Sequence, residues 1–462
     1  ALDIAVVGPA LPSIRSQFAS SERSLAWIFS IYVLFQLIGT PLMAKLSDQL
    51  GRRPIYVLDV TLFAVGSLIV ALSQDFSLVL LGRATQGFGA GGIFPVASAV
   101  IGDTFPPEKR GGALGMIGAV FGLAFLVGPL LGGVIISLAS WHWLFFINIP
   151  LALAVIVLSL RYLPLTRPAQ SKRFDWLGMV LLAVMLASLA WAVNRLDVQA
   201  LFTSLTSLQV WPFLVLFAVL LLALLRVERK VENPIVSPAL FARKQLRLTY
   251  LLSAGIGFGE ASLVFVPLLA VISLSGAGIT EKNASFLMVP AVLALAVGAP
   301  TAGRFLDKVG SRSVILTGTL VMSLGMFMVG LFASNLFLFI TSGVFIGLGM
   351  SALLGAPIRY IMLNEARLSE RSVAQGVATL FTSIGQLLGG TLTGAIAASA
   401  SQAGDAAAGY RLAFLIIGIM SALLVMVAFL LKNRAAEQAT VRQNEASAGR
   451  EFSDAVPQAA LK

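Results

Sequence analysis

The feature that most constrains this chain is a run of about 20 residues, nearly free of charge, that recurs along its whole length. As an α-helix, a run of that length crosses the roughly 30 Å hydrocarbon core of a bilayer. Fourteen such runs occur in the 462 residues. Their approximate extents are 1–17, 25–45, 55–73, 76–101, 113–138, 142–161, 176–194, 210–226, 248–272, 284–303, 313–333, 335–358, 372–399 and 410–431. They lack the polar and apolar alternation of barrel strands, so the sequence predicts an all-α integral membrane protein.

The composition supports this prediction and excludes several kinds of site. Hydrophobic residues make up 58% of the chain and charged residues 11%, far from the balance of a soluble domain. Cysteine is absent, which excludes disulfides, thiolate metal sites and cysteine nucleophiles. Since His142 is the single histidine, most imidazole zinc sites are excluded as well. We therefore expect no metal and no organic cofactor.

The basic residues are distributed unequally between the two sides of the predicted membrane protein. In a soluble protein the net charge of +11 would indicate an acidic partner such as nucleic acid. When the connections are assigned alternately to two sides, however, 26 of the 32 lysines and arginines fall on one side. By the positive-inside rule that side is the cytoplasm. The sequence thus predicts a multi-pass protein of the cell inner (plasma) membrane, with both termini cytoplasmic and no nucleic-acid partner.

An internal repeat organises the chain. Residues 44–53 and 303–312 align without gaps, each between the second and third helices of a six-helix half. Three pairs of residues coincide, namely Asp48 with Asp307, Gly51 with Gly310 and Arg53 with Arg312. Parallel repeats of this kind build the two rocking halves of some transporters around a site at the membrane midplane.

The repeat divides the chain into four predicted segments. These are an N-terminal six-helix bundle at 1–165, an inserted two-helix hairpin with cytoplasmic linkers at 166–245, a C-terminal six-helix bundle at 246–432 and a polar cytoplasmic tail at 433–462. The hairpin carries no convincing intramembrane charge, so we expect it to lie outside the transport core. The first span opens directly at Ala1 without a cleavable signal pattern, and we expect the natural protein to continue upstream.

Five motifs follow one another along the chain. Loop 44–53 is similar to the pattern G-x-L-x-D-R-x-G-R-R, with Ala44 in place of its first glycine and Gln49 in place of its internal arginine. Residues 80–88 form a fourth-helix motif around Arg83 and Gln86. The first-helix motif consists of Leu2 and Asp3 with Pro9 and Pro12. The fifth-helix motif consists of Gly122, Gly128, Pro129, Gly132 and Gly133. The last motif lies around the sixth helix, at 141–150 and 174–178.

Through these motifs the chain resembles the major facilitator superfamily, and within it the fourteen-span drug:proton antiporters. The resemblance implies two six-helix bundles plus two inserted helices. It also implies a multidrug efflux transporter, not an enzyme, that exports lipophilic, cationic compounds by alternating access and uses protons as the coupling ion. In the family Arg83 is implicated in proton relay. The implied partners are a small lipophilic substrate, protons and membrane lipid, and we expect a monomer.

Ionisable residues inside the predicted spans are the first functional candidates, because a charge near the bilayer centre costs at least about 2.5 kcal/mol on insertion scales. Asp3 and Glu260 lie on the first helix of each half, and we interpret them as proton-coupling groups; the alternative is a role in helix packing or a place near the interface. Arg83 is interpreted as a proton-coupling residue because the resemblance implicates it in proton relay, the alternative being that it ties neighbouring helix backbones together. Asp59 is expected to form an interfacial ion pair with Arg53, the alternative being a part in transport chemistry.

The other candidates follow from the motifs and from the aromatic residues. A substrate surface is predicted from Gln86, Trp27, Tyr32, Phe35, Asn148 and Phe258. A conformational latch is predicted from Asp48, Gly51, Arg52, Arg53, Asp103, Asp307 and Arg312, the alternative being a solvated positive loop. The antiporter-motif helix, with Gly122, Gly128, Pro129, Gly132 and Gly133, is predicted to bend and to seal the interface between the halves, the alternative being a simple packing helix.

The sequence leaves two other functions open. The runner-up is an exporter or flippase of an amphipathic lipid or metabolite, and a more distant alternative is a membrane scaffold or receptor without transport. The sequence has no Gly-x-x-x-x-Gly-Lys-Ser/Thr loop for ATP and no hydrolase motif such as His-Glu-x-x-His or Gly-x-Ser-x-Gly. We therefore expect a secondary transporter.

Overall fold

The structure is a computed structural model. It describes residues 2–104, 124, 127–128, 131–165, 175–197, 199–231, 238–354, 356–366, 371–402, 405–440 and 442. Within the described residues the regular structure is helical. The helices are α1 (Leu2–Phe18), α2 (Glu22–Leu50), α3 (Arg52–Ala71), α4 (Phe76–Thr104), α5 (Trp143–Phe146), α6 (Asn148–Tyr162), α7 (Trp176–Asn194), α8 (Leu201–Leu205), α9 (Trp211–Glu228), α10 (Lys244–Ser262), α11 (Val266–Ser273), α12 (Val289–Val309), α13 (Ser311–Phe332), α14 (Leu336–Leu353), α15 (Ala356–Glu365), α16 (Arg371–Gln402) and α17 (Ala406–Phe429).

Twelve helical segments among the described residues are long and apolar enough to cross a membrane. They coincide with the second to fourth and the sixth to fourteenth predicted spans. The first predicted span is the 17-residue helix α1, which is continuous in spite of Pro9 and Pro12. The fifth, 113–138, lies largely outside the described residues, although its end at 131–138 is helical. The prediction of an all-α membrane protein is confirmed, and the count of fourteen spans stays a prediction.

The predicted repeat has the same backbone turn in both copies. α2 ends at Gly51, whose φ is 103°, and α12 ends at Gly310, whose φ is 82°. Only glycine adopts this region without strain, and it lets the next helix begin at once. α3 and α13 start at the following residue in each case. The two turns mark one end of the molecule, which we call the Gly51 end.

The helices pack as two bundles with a hairpin attached. α2, α3, α4 and α6 pack together in the N-terminal bundle, and α10, α12, α13, α14, α16 and α17 pack together in the C-terminal bundle. In the hairpin α7 packs against α9. The predicted span 248–272 is interrupted: α10 ends at Ser262, a short 3₁₀ helix follows, and α11 begins at Val266. The 3₁₀ turn lies just after Glu260, within one helical segment from Lys244 to Ser273.

The bundles meet at the end opposite to the Gly51 end, which we call the Glu22 end because α2 begins there. α2 packs along α16, and α1 packs against α11. Close approach depends on small residues, as expected for helices in a membrane. A Cβ added to Gly394 on α16 would lie 2.1 Å from the Cβ of Ala26, and one added to Gly8 would lie 2.9 Å from the carbonyl oxygen of Val264.

Candidate functional site

A buried ion pair lies inside the N-terminal bundle. Arg83 on α4 donates from Nη1 to Asp3 Oδ2 on α1 over 2.5 Å. The Arg83 side chain has no solvent exposure and that of Asp3 is 4% exposed. Arg83 Nε also donates to the carbonyl oxygen of Ile28 on α2, at 3.1 Å. Arg83 therefore joins three helices: the backbone tie that was the alternative interpretation is present, and the proton-relay role stays a prediction.

Amide and hydroxyl groups surround the Asp3 carboxylate. Gln86 Nε2 donates to Asp3 Oδ1 at 3.0 Å and to Ser67 Oγ at 2.7 Å. Asn148 Nδ2 donates to the same two atoms, at 3.3 and 3.2 Å. Hydrogen-bond donors of this kind stabilise the ionised carboxylate against its burial. The motifs around Arg83 and Asn148, which are far apart in sequence, thus form one polar cluster with Asp3.

An aromatic ring covers the cation of this cluster. The guanidinium carbon of Arg83 lies 4.2 Å from the centroid of the Tyr32 ring, within cation–π range. Tyr32 was predicted to line a substrate surface, but in this state it is fully buried against Arg83. Arg83 Nη2 has no hydrogen-bond partner. One donor of the cluster therefore makes no hydrogen bond in the structure.

Glu260 occupies a different environment in the C-terminal bundle. Its Oε2 accepts a hydrogen bond from Gln386 Nε2 on α16, at 3.0 Å. The two side chains are the polar part of a cavity of about 100 Å³ whose other walls are apolar. Among the apolar residues of the wall are Phe29, Val264, Met288, Val329, Phe339 and Met350. Since Phe29 belongs to α2, both bundles contribute to this cavity.

A second ionic cluster closes the Glu22 end. Arg15 lies 2.7 Å from the Glu22 carboxylate, whose side chain is only 2% exposed. The same carboxylate accepts a hydrogen bond from the hydroxyl of Tyr410 on α17. Close by, Ser16 Oγ donates to Glu281 over 2.8 Å. Both of these hydrogen bonds run from one bundle to the other, so polar contacts reinforce the helix packing at this end.

The described part of the antiporter-motif helix lies between the bundles. A Cβ on Gly132 would lie 2.9 Å from Pro9 of α1, and one on Gly133 would lie 3.2 Å from the ring of Phe286. Phe286 belongs to the C-terminal bundle, so adjacent glycines face opposite bundles. Gly128 is buried, and Gly122 and Pro129 lie outside the described residues. The predicted sealing role stays a prediction, and the predicted bend at Pro129 lies outside the described residues.

The hairpin contacts both bundles, and the expectation that it lies outside the transport core stays a prediction. Trp27 Nε1 on α2 donates to Asn194 Oδ1 at the end of α7, at 3.0 Å, and Asn194 Nδ2 donates to the Arg23 carbonyl oxygen at 3.2 Å. α7 also packs along α16 of the C-terminal bundle. Trp27, predicted to line the substrate surface, instead fastens the hairpin to α2.

The remaining aromatic candidates stand apart from the polar cluster. Phe35 on α2 is half-buried. Phe258 on α10 packs beside the hydrophobic core, and its backbone is closely approached by Gly389 of α16. Their contribution to a substrate surface stays a prediction.

The predicted latch is described only in part. Arg52 Nη1 donates to Ser47 Oγ at 2.9 Å, next to the Gly51 turn, and Arg53 is half-buried. The guanidinium of Arg312 lies 5.7 Å from the ring centroid of Phe429. The side chains of Asp48, Asp103 and Asp307 lie outside the described residues. The ionic partners that the latch requires therefore stay a prediction.

The expected ion pair between Asp59 and Arg53 is wrong. The Asp59 side chain is fully buried, and neither carboxyl oxygen has a hydrogen-bond partner. The reason is geometric: at about 100° per residue, two side chains six positions apart on an α-helix point in directions about 120° apart. Burial directs Asp59 toward α4, and Arg53 cannot follow it.

Sequence reasoning missed several residues that the fold brings to these sites. Ser67 links Gln86 and Asn148, Gln386 binds Glu260, and Glu22 and Tyr410 join the bundles. The sequence could have indicated Gln386 as a site residue, since it is an uncharged hydrogen-bonding group in the middle of a predicted span. It could not have indicated Ser67 or Tyr410, because serine and tyrosine occur widely in membrane helices.

The chain matches a known family model over almost its whole length. The model described as Major Facilitator Superfamily matches residues 1–275 and 249–460. An uncharacterised MFS-type transporter of Bacillus subtilis, YfiU, is 32% identical over 411 residues, which cover 88% of this chain and 79% of the relative. Multidrug resistance protein 3 of the same organism is 29% identical, with 86% of this chain and 76% of the relative covered.

More distant relatives and solved structures agree with these matches. The multidrug resistance protein Stp of Mycobacterium tuberculosis is 26% identical, over 86% of this chain and 73% of the relative. The crystal structure of the nucleoside transporter NupG has a TM-score of 0.60 at 15% identity, with 93% of this chain and 97% of that chain covered. The human organic anion transporter MFSD10 has a TM-score of 0.57 at 16% identity, with 92% and 96% covered. At these identities the two structures bear on the fold alone.

Proposed function

Because the chain belongs to the major facilitator superfamily, and is therefore a membrane transporter and not an enzyme, we propose that it exports lipophilic, cationic compounds in exchange for protons. Relatives named multidrug resistance proteins support drug efflux. The observation that carries the proposal is the contrast between two membrane carboxyl groups. Asp3 is held by a cation and amide donors, whereas Glu260 lies in an apolar cavity beside one amide.

The Asp3 cluster supports a role in proton coupling. Its carboxylate binds Arg83, Gln86 and Asn148 while it is ionised. A proton on Asp3 removes the charge that attracts Arg83, and the contact between α1 and α4 is then weakened. In the proposed cycle this protonation occurs from the outside, and loss of the proton to the cytoplasm restores the ion pair. Proton movement thereby biases the two arrangements of the bundles.

The Glu260 cavity supports a role in cargo binding. An apolar wall suits a lipophilic body, and the carboxylate supplies the charge that a cation requires in a low-dielectric site. Because both bundles form the wall, movement of one bundle against the other changes the cavity. Protonation of Glu260 would cancel the attraction and release the cargo. The same carboxyl group therefore serves a proton or a cation, but not both at once.

The proposal includes an orientation in the cell membrane. The Gly51 end faces the cytoplasm, together with both termini, and the Glu22 end faces outward; the distribution of basic residues supports this assignment. The structure then corresponds to a carrier that is closed toward the outside. Since the chain has no cysteine, single cysteines introduced at exposed positions of either end can be labelled with an impermeant maleimide to test the orientation.

Transport of ethidium in proteoliposomes with an imposed pH gradient tests the function. We expect gradient-driven movement by the wild type, loss of the gradient dependence in Asp3→Asn, and weakened ethidium transport in Glu260→Gln. Asp75→Asn is the matched control, since Asp75 is an exposed carboxylate that caps α4 by accepting from the Leu78 N–H. Undiminished proton-coupled transport in the double variant at Asp3 and Glu260 contradicts the proposal. Absence of gradient-driven movement, with lipid transfer in labelled vesicles, favours the lipid exporter instead.

A further inference from the structure

Asp59 occupies the interface between α3 and α4, away from both sites described above. Its side chain has no solvent exposure. A Cβ added to Gly92 of α4 would lie 2.1 Å from Asp59 Oδ2, and one added to Gly89 would lie 2.5 Å from the Asp59 carbonyl oxygen. The carboxyl group therefore rests directly on the bare backbone of α4, in space that exists because residue 92 is a glycine.

Among the described residues, the surroundings of Asp59 supply no partner for a negative charge. Neither Asp59 oxygen accepts a hydrogen bond. The titratable side chains described on Asp59's own helix and on the helices packed against it are Arg52, Arg53 and Tyr56 on α3, Arg83 on α4, Glu22, Arg23, Tyr32 and Lys45 on α2, and Arg161 and Tyr162 on α6. Asp59 forms no ion pair with any of them. Arg83 is bound to Asp3, and Arg52 donates to Ser47.

An unpaired carboxylate in the interior of a membrane protein is strongly unfavourable, whereas the neutral acid is tolerated. In the state described here Asp59 therefore carries a proton. A carboxyl group that makes no hydrogen bond contributes nothing to helix packing that an amide could not supply. Its distinctive property at this position is the capacity to bind and release a proton.

The position of Asp59 connects it with the proposed coupling site. Ser67, eight residues later on α3, belongs to the Asp3 cluster through Gln86 and Asn148. At about 1.5 Å per residue, Asp59 lies about 12 Å from that cluster along the helix axis. The displacement is toward the Gly51 end. Asp59 thus lies between the coupling cluster and the end proposed to face the cytoplasm.

We propose that Asp59 is a second proton-binding site of the N-terminal bundle, additional to Asp3, that exchanges its own proton with water at the Gly51 end when α3 and α4 separate. In that step the Asp59 O–H bond breaks, the proton passes to a water molecule, and the carboxylate that remains is hydrated. Reprotonation reverses the step before the helices close. The inference rests on the proposed function, because only a proton-driven carrier uses such a site in turnover.

Two measurements on the purified protein in lipid test this site. The first is the infrared difference spectrum between acidic and alkaline pH, in which a protonated carboxyl C=O band is lost as the pH rises. We expect the component of this band that belongs to Asp59 to be missing in Asp59→Asn and retained in the control Asp75→Asn. The second is the number of protons moved per ethidium, which should fall in Asp59→Asn and stay unchanged in the control. Thermal unfolding should show no loss of stability, because Asp59 has no hydrogen bond to lose.

A second variant keeps the test decisive if Asp59→Asn does not fold. Gly92→Ala leaves the carboxyl group in the chain but fills the space that it occupies, so the carboxyl is displaced and its band should titrate over a different pH range. Gly376→Ala is the matched control, since a Cβ at Gly376 meets nothing within 4 Å.

The outcomes separate this inference from the proposed function. If the wild type couples ethidium to protons and Asp59→Asn has the same coupling ratio and the same titrating band, the Asp59 site is overturned while the antiporter stands. If the wild type moves no ethidium but the Asp59 band titrates, the antiporter fails and Asp59 is still supported as a proton-binding site.

Discussion

The hydroxyl of Tyr410 donates a hydrogen bond to the carboxylate of Glu22, and this bond joins α17 of one bundle to α2 of the other. Arg15 of α1 binds the same carboxylate at 2.7 Å. Three helices therefore converge on one buried charge at the Glu22 end. If the bundles move apart at this end, the tyrosine must leave the carboxylate, whereas Arg15 and Glu22 can stay together because both belong to the N-terminal bundle.

Replacing Tyr410 with phenylalanine should favour opening at the Glu22 end. The substitution removes the bond between the bundles and leaves the Arg15–Glu22 pair intact. A hydrogen bond to a charged group contributes about 1.5–3 kcal/mol, so we expect the open population to increase by about tenfold or more. Ser30→Cys provides the reporter, because Ser30 is fully buried on α2 near Gly390.

The rate of maleimide labelling at this cysteine measures the opening. Tyr162→Phe is the control, since Tyr162 is an exposed tyrosine at the end of α6. An unchanged labelling rate in Tyr410→Phe would show that the bond does not limit opening.

A methyl group at Gly394 should have a similar effect through packing alone. Its Cβ would lie 2.1 Å from the Cβ of Ala26 across the seam between α16 and α2, so the closed arrangement cannot accommodate it without movement. Overpacking of this kind costs about 1–3 kcal/mol. Gly376→Ala on the same helix has open space and should gain up to about 1 kcal/mol from helix propensity.

Gly394→Ala should therefore lower the thermal unfolding temperature and raise the rate of Ser30→Cys labelling, whereas Gly376→Ala should not lower the unfolding temperature and should leave the labelling rate unchanged. Equal behaviour of the two variants would mean that the seam tolerates the added methyl group.

The sequence predicted best what depends on composition and on backbone turns. The all-α membrane class follows from the apolar runs, and the repeated turn follows from Gly51 and Gly310, which both adopt positive φ. It also singled out Asp3 and Arg83 because charges in a span are costly, although nothing in their spacing indicated that they form a pair.

What the sequence could not supply is the rotation of each helix about its axis. A helix that is apolar on all sides has no amphipathic stripe to orient it. For this reason Trp27 was predicted to line a cavity and instead binds Asn194, and Asp59 was paired with an arginine on another face. The sites also combine residues from distant segments, such as Glu260 with Gln386 and Phe29, which only the packed structure brings together.

The hairpin should move with the N-terminal bundle during transport. Asn194 makes hydrogen bonds to Trp27 and to the Arg23 backbone on α2, whereas Ser399 Oγ of α16 reaches the Leu196 carbonyl oxygen only at 3.5 Å. A short bismaleimide between cysteines at 196 and 399 should therefore block ethidium transport. The same reagent between cysteines at 27 and 194 should leave transport largely intact. The reverse pattern would assign the hairpin to the C-terminal bundle.

The segment that follows α17 should dock on the C-terminal bundle in a pH-dependent way. Within the polar tail, residues 434–440 are helical, and Glu437 accepts hydrogen bonds from the Ser311 N–H, at 3.1 Å, and from the Ser311 hydroxyl at the start of α13. Burial raises the pKa of the Glu437 carboxyl above its ordinary value of 4.5, although the Ser311 hydrogen bonds act in the opposite direction. The docked state thus binds the proton more tightly than the undocked state. Docking is therefore most favourable below the ordinary glutamate pKa and weakens as the pH rises through the raised pKa of the docked state.

Spin labels on cysteines at Val309 and Ala439, both exposed, would report this docking as a distance. We expect a short distance at acidic pH and a growing fraction of longer distances as the pH rises. Glu437→Gln keeps the size of the side chain but cannot ionise, so its distance distribution should not change with pH. Gln438→Ala, an exposed neighbour, should behave as the wild type. A pH dependence that persists in Glu437→Gln would assign the effect to another group, because no charge is then left at position 437 to titrate.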